Sequence, residues 1–272
     1  MQTKRFRLPR TVCAAAVCVS LVAATSADAA QFVYATVDWS DENNHLLRID
    51  VVDGGVTDIG ACTILGQPSY KPGLPGLSWH VDGYLYAFDT YGNQILRIDP
   101  TSAEATVVTD VGADLGGYMN GLAIASDGTY YLTDWQLRTG TLPGPSVLVG
   151  GNALSDTDSC DLASDGTLWA TDSGALLTID KTTGNQTVLR QWTNADIAGI
   201  AVDGSFAWAI DRGDNSPGNQ WLVTIDLSTG DLTYVHNLPD GYYLATAVPE
   251  PVTLAFLSLG GFAVMIRHRR MG

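Results

Sequence analysis

The sequence predicts an all-β fold built from repeated four-stranded sheets, and three observations support this. A unit of apolar strand, Asp-Gly pair, aromatic strand and closing aspartate recurs, most clearly at residues 121–134, 160–172 and 199–211. Successive Asp-Gly pairs are 45, 38 and 38 residues apart, close to the period of a propeller blade. These pairs begin at Asp82, Asp127, Asp165 and Asp203. β-Branched and aromatic residues fill the units, and no long 3.6-residue pattern precedes the C-terminal tail, so a helical repeat is excluded. We therefore predict a β-propeller over residues 31–248.

Each element of the unit has its own signal. The first strand is short and apolar, and in most copies glycine leads it, as in GLAI from Gly121 to Ile124. The Asp-Gly pair predicts a tight hairpin, because glycine adopts the positive φ that such turns require. The second strand is aromatic and ends in aspartate; a weaker copy of both strands spans Gly76 to Asp89. The third strand ends in Ile-Asp, as in LLRID, ILRID, LLTID and LVTID, and a turn rich in Thr, Ser and Gly precedes the fourth.

The two ends of the repeat region predict how the ring closes. FVYATVD, from Phe32 to Asp38, resembles a second strand that lacks its inner neighbour, and YYLATAV, from Tyr242 to Val248, resembles an inner strand without a blade. Pairing the two closes a ring of five blades and removes open sheet edges, which otherwise promote aggregation. Six blades are the alternative, because residues 61–75 and 136–159 are long enough to contain further strands.

The repeat loosely resembles NHL-type, YVTN and SMP-30-like propellers, in which a glycine-led strand, an Asp-Gly turn and an aromatic strand ending in aspartate recur. The resemblance covers most of residues 31–248 and implies the fold. It does not imply a function, because such propellers include scaffolds, ligand binders and hydrolases. The SMP-30-like lactonases hold their metal with a Glu and an Asn/Asp set, and this chain has no glutamate at the start of its first strand.

The charge balance excludes one class of partner. Between Gln31 and Val248 the chain has 7 basic and 27 acidic residues. A domain of this charge repels nucleic acid and anionic membrane surfaces, so we expect no nucleic-acid partner.

The N-terminal thirty residues predict a cleaved secretory signal peptide. Basic residues from Lys4 to Arg10 precede an apolar run from Thr11 to Val22, and Ala27-Asp28-Ala29 offers small residues to a signal peptidase. The apolar run is too short to span a membrane comfortably as a permanent anchor.

The C-terminal residues 249–272 predict a tail with a single short transmembrane helix. Val252 to Ile266 form a mostly apolar segment that is shorter than the roughly twenty residues of a straight spanning helix. Basic residues follow it, and such residues stay on the cytoplasmic side, which places the acidic domain across the inner membrane. The motif residues are Val248, Pro249, Glu250 and Pro251 before the segment, and Arg267, Arg269 and Arg270 after it.

This order of Pro-Glu-Pro, apolar helix and basic end resembles the PEP-CTERM sorting signal of Gram-negative bacteria that make extracellular polysaccharide. The resemblance implies recognition by an exosortase, a membrane cysteine protease that cuts near Pro-Glu-Pro. It implies transient anchoring in the inner membrane and then release or transfer to the cell surface or extracellular matrix. An ordinary tail anchor that stays in place is the alternative.

Two sets of residues recur in the blades and are therefore expected to serve the blades. The aspartates at the ends of the second strands are predicted to bond turn amides; a ring of carboxylates holding a cation is the alternative. The aromatic residues of these strands are predicted to pack between blades. The two sets are Asp38, Asp89, Asp134, Asp172 and Asp211, and Tyr34, Tyr86, Tyr131, Trp169 and Trp208.

Two acidic loops break the repeat and are weak candidates for Ca²⁺. Their carboxylates are Asp156, Asp158 and Asp161 in one loop, and Asp211 and Asp214 in the other. Neither loop has the spacing of an EF-hand, so solvated loops are the preferred interpretation and no cofactor is expected, with Ca²⁺ as the alternative.

The domain has two cysteines, Cys62 and Cys160, and an even pair in an oxidising compartment predicts a disulfide; two buried thiols are the alternative. His45, His80 and His236 are widely separated, and the chain has no nucleophile elbow, Walker loop or dinucleotide fingerprint. We therefore expect a non-enzymatic surface or matrix protein that acts as a scaffold or binding module, with extracellular polysaccharide or a surface protein as partner. The alternative is a metal-dependent hydrolase or lyase of calcium type.

Overall fold

The computed structural model describes residues 32–38, 44–112, 119–151, 154–155, 157–172, 174–213, 220–239 and 242–247. The regular elements in this part of the chain are β-strands. Blade 1 begins with β1 (Phe32–Asp38), β2 (His45–Asp50) and β3 (Val56–Ala61). Blade 2 contains β4 (Thr63–Ile64), β5 (Gly76–Trp79), β6 (Leu85–Asp89), β7 (Gln94–Ile98) and β8 (Glu104–Asp110). Blade 3 contains β9 (Gly121–Ile124), β10 (Thr129–Thr133), β11 (Leu137–Thr141) and β12 (Val147–Leu148). Blade 4 contains β13 (Ser159–Leu162), β14 (Leu168–Asp172), β15 (Ala175–Ile179) and β16 (Gln186–Gln191). Blade 5 contains β17 (Ile197–Asp203), β18 (Phe206–Asp211), β19 (Trp221–Asp226) and β20 (Leu232–Asn237), and β21 (Tyr242–Ala247) then returns to blade 1.

These strands form a five-bladed propeller. The inner strands β5, β9, β13, β17 and β21 contact one another in turn around a central axis. The last strand, β21, pairs antiparallel with β1, with Ala247 opposite Tyr34 and Tyr242 opposite Asp38. The predicted five blades and their closure are confirmed.

The six-blade alternative is wrong, because the two long segments hold strands of blades that already exist. Residues 61–75 contain β4, which pairs parallel with β8 as a fifth strand of blade 2. Residues 136–159 contain β11 and β12, the third and fourth strands of blade 3.

The hydrophobic core is divided into five clusters, each between two consecutive blades. Each cluster contains one of the repeated aromatic residues or has it packed at its edge. The ring of Tyr34, for example, stacks on Trp79 of the next blade with centroids 5.8 Å apart. The predicted packing of these aromatic residues between blades is confirmed, and they are Tyr34, Tyr86, Tyr131, Trp169 and Trp208.

Near the axis the blades converge so closely that two inner strands begin with glycine. A Cβ atom on Gly76 would lie 2.8 Å from the amide nitrogen of Leu122, and one on Gly121 would lie 2.8 Å from that of Cys160. Hydrogen bonds also join the inner strands: the Ile124 amide donates to Ser78 Oγ, and the Ile200 amide donates to Ser159 Oγ, both at 3.2 Å. The glycines that begin these two inner strands are therefore required by blade packing.

The ring has two faces, which the connections define. The hairpin face carries the turns between first and second strands and between third and fourth strands. The four Asp-Gly turns lie there, and their glycines have φ between 66° and 85°, as predicted. The loop face carries the turns after the second strands, where the repeated aspartates lie, and the crossings between blades.

In the described part of the chain no helix is long and apolar enough to cross a membrane. The predicted signal peptide at residues 1–30 and the sorting tail at residues 249–272 lie outside the described residues, as does Val248.

Candidate functional site

The repeated aspartates bind the loops of the loop face to the blades. Asp89 is fully buried. Its Oδ1 accepts the amides of Gly73 (3.1 Å) and Tyr91 (3.2 Å), and its Oδ2 accepts Tyr70 Oη and Gln94 Nε2, each at 2.8 Å. Four donors therefore surround one carboxylate, and its acceptor sites are occupied by the protein itself.

Asp211 has the same role in blade 5. Its Oδ1 accepts the amides of Asp196 and Gly213, both at 2.9 Å, and its Oδ2 accepts Tyr234 Oη at 2.9 Å. In blade 3, Asp134 accepts Asn120 Nδ2 at 3.3 Å. The prediction that the set bonds turn amides is confirmed at Asp89 and Asp211.

A compact charged cluster lies beside Asp211 on the loop face. Arg212 Nη2 is 2.7 Å from Asp196 Oδ1 and 3.8 Å from Asp158 Oδ1. The Arg212 amide also donates to the Asp196 carbonyl oxygen at 2.8 Å. The calcium candidate Asp158 thus faces a guanidinium, which lowers its capacity for a cation.

The candidate Asp161 lies on the inner strand of blade 4, where the equivalent strands have Ser78, Ala123 and Ala201. Its Oδ2 accepts the Val202 amide of blade 5 at 2.7 Å, so it joins two inner strands. Asp158 therefore lies in the charged cluster beside Asp211, whereas Asp161 is bonded to the inner strand of blade 5.

The described residues contain no group of three or more His, Cys, Asp or Glu side chains arranged to hold a metal ion. The candidates Asp156 and Asp214 lie outside the described residues.

The predicted disulfide is absent from the structure, which contains Cys62 and Cys160 as free thiols. Cys62 belongs to the cluster between blades 1 and 2, and Cys160 to the cluster between blades 3 and 4, so the ring geometry keeps them apart. Burial raises the pKa of each thiol to about 12, which suppresses the reactive thiolate.

The three histidines have separate structural partners. His45 Nδ1 is 3.0 Å from Asp58 Oδ2, and His80 Nδ1 is 3.0 Å from Asp82 Oδ1. His236 Nε2 is 3.1 Å from the Val51 carbonyl oxygen, which joins blade 5 to blade 1. The histidines therefore do not converge on one site.

A groove of about 550 Å³ lies on blade 5, towards the hairpin face, and we call it the blade 5 groove. Its floor is aromatic: Phe206 is half-buried, Trp208 is 6% exposed, and the two rings meet edge to face with centroids 5.7 Å apart. Hydroxyl and carboxylate side chains form its walls. They are Ser205, Thr224, Asp226, Thr229, Asp231 and Thr233.

The groove exists because blade 5 departs from blades 1 and 2 at one position. In blade 1, β21 is the first strand and β2 is therefore the third. The residue of β2 opposite Tyr34 is Arg48, and its guanidinium carbon lies 4.6 Å from the centroid of the Phe32 ring. In blade 2 the residue opposite Tyr86 is Arg97, which lies 4.3 Å from the centroid of Tyr84. The arginines cover Phe32 and Tyr84, the aromatic residues two positions before Tyr34 and Tyr86. We call the aromatic ring at this position the outer ring of a blade.

In blade 5 the residue opposite Trp208 is Thr224, and the outer ring is Phe206. The short threonine does not reach over this ring, which leaves the groove open. Blades 3 and 4 also have threonine at this third-strand position, Thr139 and Thr178, but Thr129 and Thr167 stand in place of the outer ring. Among the described blades, only blade 5 has the ring without the arginine.

The carboxylates at the groove differ in their partners. Asp226 Oδ1 accepts the Ser228 hydroxyl at 2.6 Å and the Ser228 amide at 2.7 Å, and these bonds hold the pKa of Asp226 below its usual value. Asp231 Oδ1 is 3.2 Å from Arg190 Nη2 of blade 4, and both side chains are half or more exposed. The groove is therefore lined by negative charge at neutral pH.

Our sequence predictions of site residues did not include the groove. The missed signal was the third-strand position of the repeat, where LLRID and ILRID have arginine and LVTID has threonine. Comparing that position together with the aromatic residue at the start of the second strand distinguishes blade 5 from the others.

No protein-family model matches the chain, and no curated protein sequence matches it either. Solved structures do match in fold. A chain of the nidogen/laminin complex is 14% identical, with a TM-score of 0.54 over 80% of this chain and 97% of that one. A structural genomics protein of unknown function from Bacteroides thetaiotaomicron VPI-5482 is 12% identical, with a TM-score of 0.55 over 82% of this chain and 66% of that one. TolB from Acinetobacter baumannii is 15% identical, with a TM-score of 0.47 over 76% and 53% of the two chains. At these identities the first two matches support the propeller fold alone.

Proposed function

We propose that the protein is an exported, non-catalytic surface or extracellular-matrix protein whose acidic five-bladed propeller acts as a scaffold or binding module. The observation that carries the proposal is the use of the repeated polar residues. The aspartates that could have formed a catalytic or cation-binding ring at the loop face, Asp89 and Asp211 above all, accept hydrogen bonds from turn amides and side chains. The blade 5 groove offers a surface for a ligand.

The proposal places the protein outside the cell through its two ends. A signal peptidase removes residues 1–30, and an exosortase-like protease recognises Pro249-Glu250-Pro251 while residues 252–266 hold the tail transiently in the inner membrane. The basic residues Arg267, Arg269 and Arg270 keep the end of the tail cytoplasmic. Extracellular polysaccharide or another surface protein is the proposed partner.

Changing Glu250 to Ala tests the sorting step. The domain of the variant should fold and be exported normally, but its release should fail, so that full-length tail accumulates in the inner membrane. Cell fractionation and intact-mass measurement of surface material read this out. Glu104→Ala is the matched control, because it makes the same chemical change at an exposed position of the domain. Surface material of the unchanged protein that still ends in Arg-Arg-Met-Gly would refute sorting by cleavage.

Metal analysis of the purified protein tests the non-catalytic role. We expect no stoichiometric metal and no loss of thermal stability when a chelator is added. One tightly held Ca²⁺ per chain, with a lower melting temperature in the chelator, would favour the metal-dependent hydrolase or lyase instead.

A further inference from the structure

We propose that the blade 5 groove binds the guanidinium group of an arginine side chain on a partner protein. The proposal rests on the binding role put forward above and names the chemistry of the partner. Two other blades of this chain already hold a guanidinium at the equivalent place of the repeat.

The internal precedent defines the geometry of the bound group. In blades 1 and 2 a guanidinium lies over the outer aromatic ring, at 4.6 Å from the Phe32 centroid and 4.3 Å from the Tyr84 centroid. Blade 5 keeps the ring, Phe206, and the aromatic residue beside it, Trp208, but its own chain supplies only Thr224. A partner's arginine can take the place that Arg48 and Arg97 occupy in their own blades.

The charge of the groove is complementary to this ligand. Asp226 has no ion-pair partner among the described residues, and Asp231 has one exposed pair, with Arg190. The π face of an aromatic ring attracts a cation, and a planar guanidinium can stack on that face while its N–H groups bond a carboxylate. A lysine ammonium matches the charge but lacks the planar stacking surface.

The groove is also large enough for a peptide. Its volume of about 550 Å³ exceeds that of one guanidinium, so the hydroxyls of Thr224, Thr229 and Thr233 can contact the residues on either side of the arginine. An isolated guanidinium should bind with a dissociation constant on the order of 10 mM.

The test is an NMR titration of the purified protein with N-acetyl-arginine amide, and the indole N–H of Trp208 is the reporter. The Trp208→Phe variant identifies that signal. We expect a saturable shift with the arginine compound, a smaller response to N-acetyl-lysine amide, and no saturable shift with cellotetraose. Phe206→Leu should raise the dissociation constant of the arginine compound about fivefold or more.

The discriminating variant is Thr224→Arg, which should place a guanidinium over Phe206 from within the chain and abolish the shift. Thr178→Arg is the matched control, because it adds the same charge at the equivalent position of blade 4, where Thr167 replaces the ring. This control should leave the arginine response unchanged. If Thr224→Arg fails to fold, the proposal is tested by Phe206→Leu alone, which should weaken binding of the arginine compound.

Three outcomes would overturn the proposal: no saturable shift with the arginine compound, an equal response in Thr224→Arg and the unchanged protein, or saturation by cellotetraose instead. The last would identify a saccharide site. Because this assay uses purified protein, its failure is distinguishable from failure of the export and sorting role, which fractionation tests.

Discussion

Replacing Asp89 by Asn separates the two roles considered for the repeated aspartates. If Asp89 secures the loop face, the substitution will destabilise the fold whether or not calcium is present. If the set instead holds a cation, the substitution will lower calcium affinity and have little effect in a chelator.

The size of the effect follows from the four donors around the carboxylate. An asparagine presents one acceptor oxygen and one N–H₂ group, so two of the four donors, either the two amides or Tyr70 and Gln94, would face another donor. Each lost bond to a charged acceptor is worth about 1.5–3 kcal/mol, and rotation of the Tyr70 hydroxyl or the Gln94 amide recovers part of it. We expect a loss of about 3 kcal/mol, or roughly 6–12 °C in Tm for a domain of this size.

Urea and thermal unfolding followed by circular dichroism, in chelator and again in calcium, measure this loss. Asp127→Asn is the matched control: Asp127 is exposed, its Oδ1 accepts the Thr129 amide at 2.9 Å, and Asn-Gly suits the same hairpin turn. Its Tm should stay within about 2 °C of the unchanged protein. The structural role of Asp89 is refuted if Asp89→Asn is as stable as this control in chelator.

Three further predictions concern the core and the ring. Labelling of denatured, unreduced protein followed by mass mapping should find Cys62 and Cys160 both free, whereas the native protein should label very slowly at pH 8; a bridged peptide would contradict this. A chain that ends at Gly241 lacks β21 and should lose its cooperative thermal transition and self-associate in size-exclusion chromatography, in contrast to a chain that ends at Val248. Gly121→Ala should cost about 2–3 kcal/mol in urea unfolding because its Cβ meets the Cys160 backbone, whereas Gly151, with open space around it, should tolerate Ala at little cost.

The fold could be predicted in detail because the signals that carry it are local. The Asp-Gly pairs set four hairpins, and the spacing of these pairs sets the blade. The closing pair of strands was also predictable, since Phe32–Asp38 lacked an inner neighbour and Tyr242–Ala247 resembled an inner strand without a blade. The parallel strand β4 was not predicted, because two residues of strand carry no periodicity of their own.

Pairings between distant residues could not be predicted from composition. Cys62 and Cys160 form an even pair, but their separation around the ring depends on which blade clusters they join. Arg212 lies beside Asp158 and Asp196 only because two blades meet there. The groove depends on the coincidence of Phe206 with Thr224, and the strand register shows that these two positions lie together on neighbouring strands.

The closing pair of strands also determines how the domain responds to a pulling force. Because Tyr34 lies opposite Ala247 and Asp38 lies opposite Tyr242, the chain enters and leaves the ring at the same end of one antiparallel pair. A load applied between the two ends of the domain therefore unzips the pair, because it breaks the hydrogen bonds between β1 and β21 one after another. In a shear geometry the same bonds would carry the load together. A load between the C-terminal end and a ligand in the blade 5 groove follows another path, through the packed faces of blades 5 and 1. If the C-terminal end of the domain is attached to a surface, its resistance to flow will depend on which pair of points bears the tension.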